Sequence, residues 1–469
     1  MGSRSGKRNS KTVMKALFIN PPIQDFYTTS VRRQPIGLLT IAAAVRAAGF
    51  EAELINAHTG RSRVISMPDE FRYLDRYRRD ADPSLAFPFR YYRHFGMSFE
   101  EIEARIRRSG ADAIFISSLF TPYYRECDAV IRAARRALPG AMIAVGGYHA
   151  ALYPSYYLEE MEVDAVVTGE GEEAAVGLMR VMRGDADISE VPNLACRKAG
   201  RIILTSRRHA PIDSIPIPAR DLLSPRSFRA YGRKAASMVA SRGCPNQCSF
   251  CTSRALWGAT YRARSVASIL DEIRDCVRRY GITMINFEDD NLFPSRERAE
   301  EILSALAAFK ERECPSLDVT AMNGISIEQV DGEVLEWMRR AGFCEINISL
   351  VSRSSDILAR HRRPFDADRV EEAVAQARRR GMKVRAYFIL GLPGQTPDEA
   401  RETIGFLHKI GAQIFPSVYY RPNAPREEWM MQRSSCFFNE TEEMSRDEMI
   451  RIFNECLALH NAAFSTSSK

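Results

Sequence analysis

Two blocks of alternating apolar runs and amphipathic segments, divided by a proline-punctuated stretch, constrain this chain more than any other feature. In the first block KALFINPP reads as a strand, and IGLLTIAAAVRAAGF has helical periodicity and closes on Gly49. EAELINA is the next strand. A helix at MSFEEIEARIRRSG, a strand at DAIFISS, a helix from about Tyr124 to Leu138, and strands at AMIAVGG and AVVTGE follow, with a further helix after the last. Such alternation predicts α/β architecture: a doubly wound, Rossmann-like parallel sheet over 14–184 with ligand loops at the C-terminal strand ends. A Tyr/Arg/Pro-rich stretch at 61–97 interrupts the rhythm, either capping a pocket with Tyr73, Tyr91 and Tyr92 or packing on the sheet. Residues 185–235 are low in periodicity and read as a linker, with a hairpin in LACRKAGRIIL turning at Ala199-Gly200. From 236 to 425 alternation resumes through about six β/α units, a partial (β/α)6 TIM-type barrel. Residues 426–469 form a short helical C-terminal segment, and 1–13 a disordered tail or residues upstream of a start at Met14.

The 469 residues suit two or three domains of roughly 100–200 residues. No apolar run reaches the ~18 residues of a membrane span. The basic start lacks the apolar core of a secretory signal, so a cytoplasmic location with reduced thiols is expected. Net charge is +7, carried largely by Arg-rich helices whose faces are solvated. No nucleic-acid-binding motif is evident.

Of ten cysteines, Cys127, Cys196, Cys276, Cys314, Cys344, Cys436 and Cys456 are isolated on apolar faces and expected in cores. The other three, Cys244, Cys248 and Cys251, stand in SRGCPNQCSFCTSRALWG directly after a strand. Three thiolates on one tight loop can hold three irons of a [4Fe–4S] cluster and leave the fourth open to a small chelating molecule. A structural zinc site needs a fourth ligand, and the nearest candidate, Cys276, sits on a helix that favours packing. A disulfide is disfavoured by compartment.

The segment Gly243–Cys251 resembles the signature of the radical S-adenosylmethionine (SAM) superfamily, and the resemblance extends over about 236–425. It implies that Phe250 packs on the adenine. INFEDDNLF resembles the family's second-strand motif, so Glu288, Asp289 and Asp290 are candidates for the SAM amino group. AYFILGLPGQT resembles the late turn where Gly391, Leu392 and Pro393 bring backbone to the adenosine. Arg385 is a candidate for the SAM carboxylate. Two departures stand out. Val351 occupies the place where related members often carry Glu, with Ser349 as a partial substitute, and RPNAPRE replaces the usual turn after the last strand.

The order of a nucleotide-like domain and then a radical SAM barrel resembles the cobalamin-dependent branch, which includes C-methylases and anaerobic Mg-protoporphyrin ester cyclases. Ser117, Ser118, Leu119 and Thr121 match its S-x-L element, and Gly146, Gly147, Tyr148 and His149 its GG element. Gly169, Glu170, Gly171 and Glu172 end the fifth strand, as in that branch. The D-x-H-x-x-G element that supplies a lower histidine is absent, and His58 is a poor substitute. No G-x-G-x-x-G follows a strand, which leaves a plain dinucleotide reading weak.

The resemblance implies three cofactors: a [4Fe–4S] cluster, SAM and cobalamin. SAM cleavage would give a 5′-deoxyadenosyl radical that abstracts hydrogen from an unactivated C–H, and the substrate carbon would take a methyl group from methylcobalamin. The alternatives are a cobalamin-dependent radical cyclase or rearrangement enzyme, and a non-catalytic cobalamin-binding protein. A methylthiotransferase would carry a second cysteine triplet, whereas only Cys127 and Cys196 precede the barrel. A small-molecule substrate facing Asn323 and Tyr387, and an electron donor such as flavodoxin or ferredoxin, complete the expectation. The catalytic acid or base, the substrate's identity and the oligomeric state are not legible.

Overall fold

The computed structural model describes residues 13–27, 33–79, 82–230, 232–258, 260–363 and 366–466. The expected tail, but for Val13, lies outside them.

The first domain is built on a seven-stranded sheet. Its order is Arg201–Leu204, Leu194–Lys198, Ala165–Val167, Met142–Gly146, Ala113–Ser117, Lys15–Asn20, Glu51–Asn56. The last five strands of that order are parallel, and by sequence they run 2-1-3-4-5 when read from Glu51–Asn56. Chain order reverses between Lys15–Asn20 and Ala113–Ser117, which opens a crevice beyond their C-terminal ends. Lys15–Asn20 is buried along its four central residues because helices cover both faces. Ile36–Ala47 and Gly171–Arg183 share one apolar cluster, and Phe99–Ser109 and Tyr124–Ala137 the other.

The hairpin read within the linker extends this sheet. Ala165–Val167 pairs antiparallel with Leu194–Lys198, so 194–204 belongs structurally with the first domain. The interruption at 61–97 packs mainly against the barrel and the C-terminal segment, and its Phe89 reaches the cleft. Phe26, Phe71 and Tyr92 stack edge-on, Phe89 meets Phe453, and Tyr73 donates to Cys436 O at 3.0 Å. Tyr91 alone of its three expected tyrosines is exposed.

Six parallel strands form the open barrel: Arg233–Met238, Met284–Phe287, Asp318–Thr320, Glu345–Ser349, Lys383–Leu390 and Gln413–Val418. Bridges Val319 to Phe343 and Ile325 to Ile348 join its two halves. Along Lys383–Leu390 burial alternates, with Val384, Ala386, Phe388 and Leu390 against the helices and Arg385, Tyr387 and Ile389 toward the lumen. Side-chain caps start the outer helices, as where Asp331 accepts from Glu333 N and Val334 N at 3.0 Å.

The open edge of the barrel is covered by the short strand Arg229–Ala230, which pairs antiparallel with Arg233 and Lys234, and beyond it by one side chain. Gln34 donates Nε2 to Ala235 O (2.8 Å) and accepts from Ser237 N (3.0 Å), standing where a neighbouring strand would pair. Arg433, 4% exposed, ties the C-terminal segment to the first domain by donating to Gln24 O and Pro122 O at 2.6 and 2.7 Å. Six of the seven isolated cysteines are buried; Cys344, at the N-terminal end of a barrel strand, is exposed against expectation. Among the described residues no helix is long and apolar enough to cross a membrane.

Candidate functional site

The strand ends of both domains face one cleft of about 1970 Å³. That exceeds the ~300–1,000 Å³ of a single small-molecule pocket.

The cysteine loop hangs from a two-residue antiparallel ladder in which Ser241 faces Ala263 and Arg242 faces Arg262. Gly243 has φ +85°, and a Cβ there would stand 2.0 Å from Thr260 O, so only glycine lets the loop fold back on its base. Cys251 N donates to Cys248 O at 3.2 Å, and Ser253 N to Cys251 Sγ at 3.5 Å. Among the described residues no three His, Cys, Asp or Glu side chains converge as ligands of one ion. Cys276 is fully buried in helix Val266–Tyr280, so zinc gains no fourth ligand there. A four-iron cluster instead spreads its thiolates over separate irons, and three thiols on one loop suit it. Although Cys251 has an exposed edge, the protein around it desolvates the thiol and pushes its pKa up to about 11, helped by Asp290 and the other two thiols. A thiolate so placed at Cys251 needs the positive charge of iron to form at neutral pH.

Phe250 packs against the apolar group Val351, Ile357 and Leu392. Val351, where a Glu was looked for, is therefore a wall for this ring. His361, which sequence reasoning missed, stands beside it with ring centroids 6.2 Å apart. Pro393 O can only accept, so His361 Nε2 donates to it (3.0 Å) and Nδ1 accepts the Ser249 hydroxyl (2.7 Å). The buried imidazole thus pins the cysteine loop to the Gly391–Gly394 turn. Gly391 and Gly394 have φ of +84° and +88°, and the space a Cβ would need is filled by Met449 Sδ and the Arg360 guanidinium. Their lack of side chains serves the packing of the turn itself, and Leu392 is buried.

The three acidic candidates diverge. Glu288 and Asp290 line the cleft, the first accepting from the Ser237 hydroxyl and the second from the Ser253 hydroxyl, both at 2.6 Å. Asp289 points away from it. It is 2% exposed, takes Ala240 N on both oxygens at 3.0 Å and also accepts the Ser241 hydroxyl. Burial raises its pKa to about 6 despite those hydrogen bonds. Successive residues beyond a strand face opposite ways, which turns the middle acid of three into a holder of the strand entering the cysteine loop.

Ser349, Asn323 and Tyr387 line the cleft, and Asn323 Nδ2 donates to Glu288 O at 2.9 Å. Arg385 is outside that wall. It shares the lumen face with Tyr387 but lies two residues deeper, ion-paired to Glu345 at 3.1 Å. Glu345 in turn accepts from the Thr320 hydroxyl at 3.0 Å.

On the opposite wall are Ser117, Ser118, Leu119, Thr121, Gly146, Gly147, Tyr148, Gly169, Glu170, Gly171 and Glu172. Gly147 has φ +116°, and a Cβ would stand 2.5 Å from Ser118 O, so glycine keeps the two strand-end loops together. Leu119 is 37% exposed. Small residues, bare backbone and one solvent-facing Leu make a surface that fits a broad apolar ring system with amide edges. His149 is not on it. Its ring is fully buried edge-on to Trp429 (4.6 Å), Nδ1 meets the Thr121 hydroxyl at 3.2 Å, and burial lowers its pKa to about 3. His58 lines the cleft at the sheet edge, two strands (roughly 10 Å) from Ala113–Ser117, and burial lowers its pKa to about 4. The carboxylates of Glu170 and Glu172 turn to Arg242 and Arg262 at the base of the cysteine loop.

The B12 binding domain family model matches residues 30–179, and the radical SAM superfamily model 238–407. The cytidylyl-2-hydroxyethylphosphonate methyltransferase of Streptomyces wedmorensis is 26% identical over 448 residues, covering 87% of this chain and 79% of the relative. The anaerobic magnesium-protoporphyrin IX monomethyl ester cyclase of Cereibacter sphaeroides is 26% identical over 318 residues, 66% of this chain and 51% of the relative. In fold the chain is similar to the radical SAM methyltransferase TsrM of Kitasatospora setae, solved with cobalamin and a [4Fe-4S] cluster. The TM-score is 0.67 at 16% identity, over 87% of this chain and 76% of that one.

Proposed function

This chain belongs to the cobalamin-dependent radical SAM enzymes, and from that premise we propose that it methylates an unactivated carbon of a small molecule. The observation that carries the reading is the shared cleft, where the cysteine loop and the strand-end loops of the first domain confront one another across a single space. When bound, the cluster with SAM supplies hydrogen abstraction and the corrinoid supplies the methyl group.

The residues of this chain bind and orient. Cys244, Cys248 and Cys251 hold the cluster. Glu288 and Asp290 face the cleft as carboxylates suited to the SAM ammonium, with Ser349 beside them. Phe250 and its apolar neighbours suit the adenine. Ser117–Leu119, Gly146, Gly147, Gly169 and Gly171 present backbone and small side chains to the corrinoid. Asn323 and Tyr387 face the substrate. Electrons come from a small redox protein such as flavodoxin or ferredoxin, in a reducing cytoplasm.

The test is an anaerobic assay with SAM and reductant. Methylation releases S-adenosylhomocysteine together with 5′-deoxyadenosine. 5′-Deoxyadenosine formed alone while a substrate is consumed refutes methylation and favours ring closure, a reading supported by the cyclase relative. Bound corrinoid without any SAM cleavage refutes both.

A further inference from the structure

All three cysteines hang from one two-residue ladder, and both arginines facing each other across it are held by the first domain. Arg242 donates Nη2 and Nη1 to the two oxygens of Glu172 at 2.5 and 3.3 Å, and Nη1 lies 3.4 Å from Glu170 Oε2. Arg262 pairs with Glu170 Oε1 and donates Nη1 to Ala210 O at 3.1 Å. Glu170 also meets His209 Nδ1 and Ala210 N, each at 3.2 Å. The side chains of Arg242, Glu170 and Glu172 are 8%, 3% and 8% exposed. A second route runs beside the first. The Arg242 guanidinium lies over the Trp257 ring at 5.2 Å, and Trp257 Nε1 donates to the Tyr148 hydroxyl at 2.7 Å.

Two guanidinia opposed across a ladder repel, and a buried arginine stripped of its carboxylate is strongly unfavourable. The base of the cysteine loop and the Gly169–Glu172 loop therefore take up their positions together. One precedes Cys244 by two residues; the other walls the corrinoid side of the cleft.

We propose that Glu170, Glu172, Arg242 and Arg262 form a latch that couples corrinoid binding on the first domain to SAM binding at the cysteine loop, with Arg242 as a positioning residue. A ligand that fixes one loop lowers the cost of fixing the other, and the coupling is reciprocal. The inference rests on the presence of both cofactors, not on methyl transfer.

The experiment uses the full chain with its cluster reconstituted and left oxidised, so that SAM binds without turnover. Hydroxocobalamin is titrated by its visible bands with and without SAM. SAM should tighten corrinoid binding by about fivefold or more, the lower range of allosteric coupling. Glu172→Gln should bring that factor to within about twofold of one at unchanged iron content, while Arg242→Lys, which keeps the charge, retains most of it. Where Arg242→Gln loses its cluster, Glu172→Gln decides, because it lies in the other domain. A native factor of one overturns the latch. So does a factor that survives in Glu172→Gln at unchanged iron content, as when its corrinoid affinity falls equally with and without SAM. Failure of the native chain to bind corrinoid refutes the cofactor assignment instead.

Discussion

Asp289→Asn separates holding the cysteine loop from holding a ligand. The carboxyl is fully buried and its pKa is raised to about 6 by desolvation. An unfolded Asp titrates near ~3.9, so the shift is about two units, or about 3 kcal/mol at ~1.36 kcal/mol per unit. The folded pKa is the higher one, so the native state binds the proton more tightly. The associated stability is fully present below about pH 4 and is lost as pH rises through about 6. Asparagine has no proton to lose. It keeps Oδ1 for Ala240 N and can turn its amide to the Ser241 hydroxyl. Unfolding free energies of native and variant chains, measured by denaturant from about pH 5 to pH 7.5, should diverge in the variant's favour by about 1–1.5 kcal/mol across that window. SAM affinity of the variant should stay within about threefold of native, while Glu288→Gln loses about tenfold or more, as expected where a charged hydrogen bond is removed. A pH-independent difference would show the carboxyl to be solvated. A loss of SAM affinity matching that of Glu288→Gln would place Asp289 on the ligand, and either result defeats the reasoning.

Two further outcomes are expected. Replacing Cys244, Cys248 or Cys251 by Ala should remove the broad absorption near ~400 nm and the bound iron, while corrinoid bands persist, since the two sites lie on separate domains. His361→Ala should weaken SAM binding by about fivefold or more with iron content retained, because it severs two hydrogen bonds worth ~0.5–1.5 kcal/mol each; an unchanged SAM affinity would leave the imidazole a packing role.

The architecture was legible because the central strands of the first sheet, Lys15–Asn20, Ala113–Ser117 and Met142–Gly146, are covered on both faces and so appear as solid apolar runs, with helices between. The cysteine loop was legible because its spacing is local. What the sequence concealed is direction and depth. Arg385 and Tyr387 share a face by the two-residue period, but the period does not say which reaches the cleft; ion pairing to Glu345 keeps the first below it. His149 follows Tyr148 in a short helix that points one inward and one out. His361 reaches Ser249 across 112 residues, a contact with no local signal. The hairpin at 194–204 looked like a linker because what makes it part of a sheet is its pairing to Ala165–Val167, not its own composition.

The Gln34 amide on the barrel edge bears on how this chain can be taken apart. It satisfies Ala235 O and Ser237 N, which lie past the pairing of Arg233 and Lys234 with Arg229–Ala230 and which a separated barrel would expose as free edge, the kind of surface that recruits strands from other chains. Excising the two halves as independent fragments would therefore leave the catalytic half prone to self-association.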